Sequence, residues 1–525
     1  MAKSPTSKSL TQLRRRRAGV VIPLFSIRTE SGWGLGEVSD IPRFAAWAHA
    51  AGFSVLQLLP VNAVSGADPS PYAAASAFAL EPLYLSLDDC EDFSAIGGRA
   101  ALAPAARERL DQAVRSPLVD WPAIRAVKRE AMSLAFDRFM REEWQKQRPR
   151  AAELAAFVEA NRGWLDDYAL FAVLHDQFEK SWLDWPAALR DRRPEALEAA
   201  REQNRDAVLF NEWTQWQLDR QWRQARDGAG AVGVAIMGDL PFMVGMDSAD
   251  VWANRDLFRT DARVGTPPDA FSATGQDWGL PVYDWKAHME GEFAWIEQRA
   301  RRSGELFGIY RIDHVIGFYR TYFRSADGTT SGYTPADEPA QLALGEHVVR
   351  LMSRWAEVIA EDLGTVPPFL RPSLEQLAVP GYRVLRWEKE EDGSYRDPAT
   401  WPEVSVCTNA THDTDTTAAW YDALSLEERE ALRAMPALAD LDPARAFDER
   451  VRDLFTKALY DSPSRLALVL LQDALGARDR INTPGTLEPA NWRYRMPMTV
   501  AELAADRELT ERLSEIATVA GRAGA

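Results

Sequence analysis

Eight short apolar runs, each closed by a polar residue or a Pro/Gly turn, set the tightest limit on how this chain can fold. They are GVVIP (Gly19 to Pro23), SVLQLLP (Ser54 to Pro60), VGVAIMGDLPF (Val232 to Phe242), LFGIYRIDH (Leu306 to His314), EVIAEDLG (Glu357 to Gly364), YRVLRWE (Tyr382 to Glu388), VSVCTNATHD (Val404 to Asp413) and LALVLLQD (Leu466 to Asp473). Near-continuous apolar runs suit strands buried on both faces, and the stretches between them have room for crossover helices. Eight such strands predict an α/β fold, a (β/α)8 barrel.

The interval between the second and third runs is too long for one helix. It is rich in Ala, Glu, Arg and Trp, and in LFNEWTQWQLDRQW the residues Leu209, Trp213 and Trp216 fall at i, i+4 and i+7. A helical insertion on the barrel rim is therefore expected over 76–230, with the barrel over 19–75 and 231–498. Residues 1–18 read as a flexible tail and 499–525 as a C-terminal helix and tail. The insertion's tryptophans, among them Trp144, Trp164, Trp182, Trp185 and Trp222, read as core at this spacing rather than as sugar platforms.

Net charge enters when partners are considered. At −17 the chain lacks the clustered Lys and Arg of a nucleic-acid binder. No apolar run approaches the roughly 20 residues of a membrane span. The run Arg14 to Arg17 before AGVVIPLFSI imitates a signal peptide, but a proline interrupts it and no small-residue cleavage site follows. Two distant cysteines, Cys90 and Cys407, form neither a disulfide framework nor a metal-ligand cluster. A cytoplasmic setting is expected.

Barrel active sites lie at the C-terminal ends of the strands. There the third run ends in Asp239, the fourth in Arg311, Asp313 and His314, the fifth in Glu361 and Asp362, and the seventh in His412 and Asp413. Arg311 and Asp313, at i and i+2, share a face of a strand. Taken alone they suit a structural ion pair equally well. Carboxylates gathered at one mouth repel one another and are costly as stability devices, whereas glycosidic-bond chemistry needs them. A retaining mechanism uses an ionised nucleophile and a protonated acid roughly 5–5.5 Å apart. Arg311 favours the ionised form of Asp313, the expected nucleophile, and burial favours a protonated Glu361, the expected acid. Asp413 is left to bind sugar hydroxyls and favour a flattened ring.

Other stretches fit a sugar site and also have plainer readings. TPPDAFSATGQDWGLPVY offers Asp269, Phe271, Gln276 and Trp278, or else a loop that packs its own aromatics. Tyr72 follows the second strand as a site or packing residue, and Asn482 after the eighth is a site or turn residue.

The stretches SPYAAASAFA, GDLPFMV, PPDAFSATGQDWG, RIDH, EDLG, THDTDTT and RINTPGTLEPANWRYR, in this order along the chain and with the match running from Gly19 to Pro497, resemble the 4-α-glucanotransferases (amylomaltase, or disproportionating enzyme), relatives of the α-amylases. The resemblance implies Asp313 as nucleophile, Glu361 as acid/base, Asp413 as transition-state stabiliser, and Arg311 and His412 as their supports. It implies glucan binding by Tyr72, Asp239, Asp269, Gln276, Trp278 and Asn482; Phe271 and His314 complete the expected substrate-binding set. It also implies transfer of α-1,4-glucan segments between maltooligosaccharides, amylose or other α-1,4-glucans, with cycloamylose as a further product and no metal or organic cofactor; it leaves the oligomeric state open. Three positions depart from the family pattern: Thr414 where Asn is usual, Ala270 for Tyr and Glu81 for Asn. The rival readings are an α-glucan hydrolase with the same site, a metal-dependent sugar isomerase using Asp313, Glu361, His412 and Asp413 as ligands, and an inactive glucan-binding protein.

Overall fold

The computed structural model describes residues 15–65, 70–267, 275–486 and 488–524. Eight parallel strands close into a barrel: β1 (Arg17–Val21), β2 (Val55–Gln57), β3 (Ala235–Leu240), β4 (Ile309–Ile312), β5 (Glu357–Ala360), β6 (Gly381–Val384), β7 (Ser405–Thr408) and β8 (Leu466–Leu470). They follow one another round the ring in chain order, and β1 closes it on β8 through register pairs from Arg17–Leu466 to Val21–Leu470. Every apolar run read from the sequence overlaps one strand, so the (β/α)8 expectation holds.

The strands are shorter than the runs. β7 and β8 are buried along their whole length, as both-face burial demands. Beyond each strand end the same run turns over the rim and carries its polar residues with it. At the foot of β6 close packing requires glycine, because a Cβ on Gly381 would lie 2.8 Å from the Asp362 carboxylate oxygens. Asp362 itself accepts from the Tyr382 backbone N–H at 2.6 Å.

Between β2 and β3 stand three long helices, α1 (Trp121–Phe139), α2 (Pro149–Phe178) and α3 (Arg205–Ala231). Asp120 caps α1 by accepting from Ala123 N–H at 3.1 Å. Polar side chains weld these helices to the barrel. On α3 the buried amides of Gln215 and Gln221 each exchange two hydrogen bonds with backbone, at Leu80 and Ser86, over 2.8–2.9 Å. Lys128 of α1, fully buried, pairs with Glu37 and donates to Leu85 O at 2.8 Å. Trp182, Trp185, Trp213, Trp216 and Trp222 are all buried, and Trp144 and Trp164 are partly buried against the same core. These rings are packing, because a sugar platform must present an open face.

The C-terminal end differs from the tail expected of it. After helices over 500–505 and 507–519, Arg522 is fully buried beneath the barrel and donates to Tyr460 O at 2.7 Å, Ser462 O at 2.7 Å and Arg17 O at 3.1 Å. One guanidinium thus supplies donors to three carbonyls at strand and helix ends, and Arg16 adds a second donor to Tyr460 O.

Candidate active site

The register of β3 against β4 sets Asp239 beside Arg311, and this pairing organises the mouth of the barrel. Arg311 Nη1 donates to both Asp239 oxygens at 2.7 and 2.8 Å, while Nη2 reaches Asp313 Oδ1 at 2.8 Å. The Tyr72 hydroxyl donates to Asp239 Oδ2 at 2.9 Å. One guanidinium therefore neutralises two aspartates from neighbouring strands. It also sets a fixed positive charge on Asp313, one of the four ligands of the metal-dependent reading, which disfavours that reading.

Glu361 follows β5 and is 9% exposed. Its Oε2 accepts from the His314 backbone N–H at 2.7 Å. His314 reaches that position with φ of 45°, a left-handed conformation uncommon for a residue with a Cβ. Burial pushes the Glu361 carboxyl up to about 8; the Asp313 charge adds to the rise, and Arg311 and the His314 N–H oppose it. The His314 ring meets Trp278 edge-on at 4.9 Å and Phe242 at 5.7 Å. Burial depresses this imidazole to about 4, so it is neutral at physiological pH.

Asp413 has the opposite charge preference. Desolvation raises its pKa, but the His412 imidazole 3.2 Å away, the Asn482 amide donating at 2.7 Å and the Arg311 charge outweigh that and bring it to about 2. Asp413 in turn raises His412 against the lowering effect of burial. The Tyr72 ring stacks on His412 at 5.2 Å between centroids, 14° from parallel. Trp492 tilts over both rings.

A cleft of about 420 Å³ opens over Glu361 and Asp413, walled by Gln276, Trp278, His314, Thr365 and Trp387 among others. Gln276 is exposed and accepts from Trp278 Nε1 at 3.1 Å. A larger groove of about 1220 Å³ lies among the insertion helices and shares no residue with this cleft; size alone does not mark the site.

Asp313, Glu361, Asp413, Arg311, His412, Tyr72, Asp239, Gln276, Trp278, His314 and Asn482 all come to one mouth. Asp269 and Phe271, like Ala270, lie outside the described residues. Asp362 does not join them: alternation along the chain turns it away from Glu361 to meet Arg371 at 3.1 Å. The other departures are structural. Thr414 accepts from Thr411 N–H at 3.1 Å inside its own loop, and buried Glu81 accepts from Val64 N–H at 3.1 Å.

Sequence reasoning missed several groups. Arg480 donates to Asp413 O at 2.9 Å, Asp415 Oδ1 at 3.0 Å and Asn482 O at 3.2 Å, and so ties the β7 and β8 loops together. Its place two residues before Asn482 was the available signal. Tyr382, buried on β6, holds its ring 5.9 Å from the Arg311 guanidinium, and nothing in YRVLRWE marks it out.

Residues 22–499 match the model of the 4-alpha-glucanotransferase family. The 4-alpha-glucanotransferase of Chlamydia pneumoniae is 30% identical over 519 residues, covering 95% of each chain. The chloroplastic/amyloplastic 4-alpha-glucanotransferase DPE1 of Oryza sativa subsp. japonica is 32% identical over 520 residues, 94% of this chain and 82% of that one. In fold, the chain is similar to the amylomaltase of Streptococcus agalactiae solved in complex with acarbose, with a TM-score of 0.83 at 24% identity over 97% of this chain and all of that one. It is similar too to the amylomaltase of Corynebacterium glutamicum, with a TM-score of 0.80 at 22% identity over 97% of this chain and 76% of that one. The chain belongs to the 4-alpha-glucanotransferase family, and its activity is that of a glucanotransferase.

Proposed function

We propose that the chain moves α-1,4-glucan segments from a donor maltodextrin to the 4-hydroxyl of an acceptor glucan or glucose by double displacement with net retention. The observation that carries this reading is the differing surroundings of the carboxyls around Arg311: buried Glu361, raised to about 8, accepts only from the His314 N–H among the described residues, Asp413, held near 2, has His412 and Asn482 against it, and Asp313 is paired to the guanidinium. Carboxyls held in different protonation states are what an acid and an anion working on one bond require.

Asp313 attacks the anomeric carbon while Glu361 gives its proton to the departing O4. This leaves a β-linked glycosyl-enzyme and a free shorter glucan. Glu361, now a carboxylate, then takes the proton of an incoming 4-hydroxyl as that oxygen displaces Asp313, and the α-linkage returns. Asp413, anionic throughout, stabilises positive charge on the ring at both barriers. Tyr72 and Asn482 brace the carboxylates Asp239 and Asp413 from opposite sides. Transfer prevails over hydrolysis when a bound acceptor sugar stands where water would attack. If the acceptor hydroxyl belongs to the far end of the same segment, the product is a ring. The two unpaired, buried cysteines suit work in a reducing cytoplasm.

The test is incubation with maltotriose and chelator, resolving products by chain length while counting reducing ends. Longer maltodextrins and glucose at constant reducing ends are expected, and none of this from Asp313→Asn. Reducing ends that climb in step with glucose would refute transfer.

A further inference from the structure

The cleft beyond Glu361 contains a cation that the chemistry above leaves unused. Arg320 lies between the His314 turn and a hairpin formed by Thr321–Ser325 and Ser331–Thr334, paired antiparallel. Its guanidinium sits over the Tyr333 ring, 4.4 Å from the centroid, and Tyr333 meets Tyr322 edge-on at 5.4 Å. Among the described residues no carboxylate pairs with Arg320, and its Nε is buried without a hydrogen-bond partner. A cation–π contact fixes a guanidinium in place but occupies none of its in-plane N–H groups. Nε is covered by the fold, so the Nη groups, which no described residue engages, are the donors left for an acceptor in the cleft that Arg320 lines.

Position identifies that acceptor. Arg320, Tyr322 and Tyr333 line the cleft that opens over Glu361 and Asp413 and share it with Thr365 and Trp387 from the segments beyond Glu361, whereas Tyr72, Asp239 and Asn482 do not line it. The cleft thus extends on the side of the carboxyl that protonates the departing oxygen, where a leaving glucan exits and an acceptor enters.

We propose that Arg320, held by Tyr333 with Tyr322 behind it, is a specificity-determining residue of the acceptor side: its free N–H groups donate to the hydroxyls of a glucose unit, and the tyrosines offer it apolar faces. This rests on Glu361 being the proton donor, since that role fixes which side receives the acceptor.

The experiment uses maltotriose as donor and varied isotopically labelled glucose as acceptor, following labelled oligosaccharides together with reducing ends. Arg320→Ala and Arg320→Gln should raise the KM for glucose on the order of tenfold or more and enlarge the hydrolysed share of turnover, because water needs no arginine. Arg320→Lys should recover part of the loss. A purely structural role would lower transfer and hydrolysis together and leave the glucose KM in place. A glucose KM within about twofold of the parent in both neutral variants overturns the proposal. The parent reading is tested separately by Glu361→Gln: undiminished transfer there would bring down the assignment of the two sides, whereas a disabled Glu361→Gln beside an unmoved glucose KM in the Arg320 variants removes only the role of Arg320.

Discussion

Replacing Glu361 by Gln should make the protein more stable in mild base while removing its activity. The folded protein holds this carboxyl at about 8 against 4.5 for a free glutamate, because burial and the Asp313 charge disfavour the anion more than Arg311 and the His314 N–H favour it. A raised carboxyl binds its proton more tightly in the folded state, so folding loses stability as pH rises above 4.5, and the loss is complete above about 8. At 1.36 kcal/mol per pKa unit the full penalty is about 5 kcal/mol, with about 3 kcal/mol already present at pH 7. For a chain of this size, with an unfolding entropy near 1.1 kcal/mol/K, the full penalty corresponds to roughly 4 °C in Tm. Glutamine keeps the acceptor for His314 N–H and has no charge to desolvate. Thermal unfolding of both proteins from pH 5 to 9 should therefore show the variant gaining on the parent as pH rises, by about 4 °C between the extremes. Turnover should fall by roughly 10²–10⁴ or more, the usual contribution of general acid catalysis. Parallel Tm curves across that range would refute the claim that Glu361 is held protonated, and the parent's kcat/KM would then fail to decline near pH 8.

Asn482→Ala removes the 2.7 Å donor to Asp413, so kcat/KM should fall about 10- to 100-fold; an unchanged kcat/KM would show that His412 and Arg311 hold Asp413 without help. Lys128→Met strips Glu37 and the Leu83 and Leu85 carbonyls of the buried donor they share, and denaturant unfolding should report a loss of about 2–5 kcal/mol at pH 7. Adding Glu37→Gln should restore part of that loss, and a single-variant change below about 1 kcal/mol would contradict a tight Lys128–Glu37 pair.

Contacts local in sequence were legible, and contacts that depend on register were not. Arg311 and Asp313 meet at 2.8 Å because i and i+2 share a face, which spacing alone predicts. The same rule separates Glu361 from Asp362: adjacent residues point apart, and Asp362 is spent on Arg371 and the Tyr382 backbone. Nothing in the two runs, 72 residues apart, says that Asp239 will stand beside Arg311, since that follows from the register of β3 on β4. Nor does RIDH reveal that His314 turns left-handed and acts on Glu361 through its backbone, leaving its ring to Trp278 and Phe242. Thr414 and Glu81 stand out in the sequence only as departures from the family pattern; both hydrogen-bond inside the fold, and Thr414 also lines the cleft, a distinction that residue type cannot carry.

The charge states of the three acids follow from this same geometry. Each acid leaves the end of a different strand, so the neighbours that set its protonation come from elsewhere in the chain. Arg311 alone touches two of the aspartates and acts at longer range on Glu361 and Asp413. Its loss would therefore not remove one contact but withdraw a positive charge from the whole mouth at once. Asp413 retains His412 and Asn482 as independent supports, whereas Glu361, already protonated at neutral pH, has little further to move. The burden then falls on Asp313 and Asp239, the two carboxylates that the guanidinium contacts directly. Without the cation the two carboxylates repel one another across the gap it filled, and the movement that relieves this alters the charge the mouth presents to a substrate.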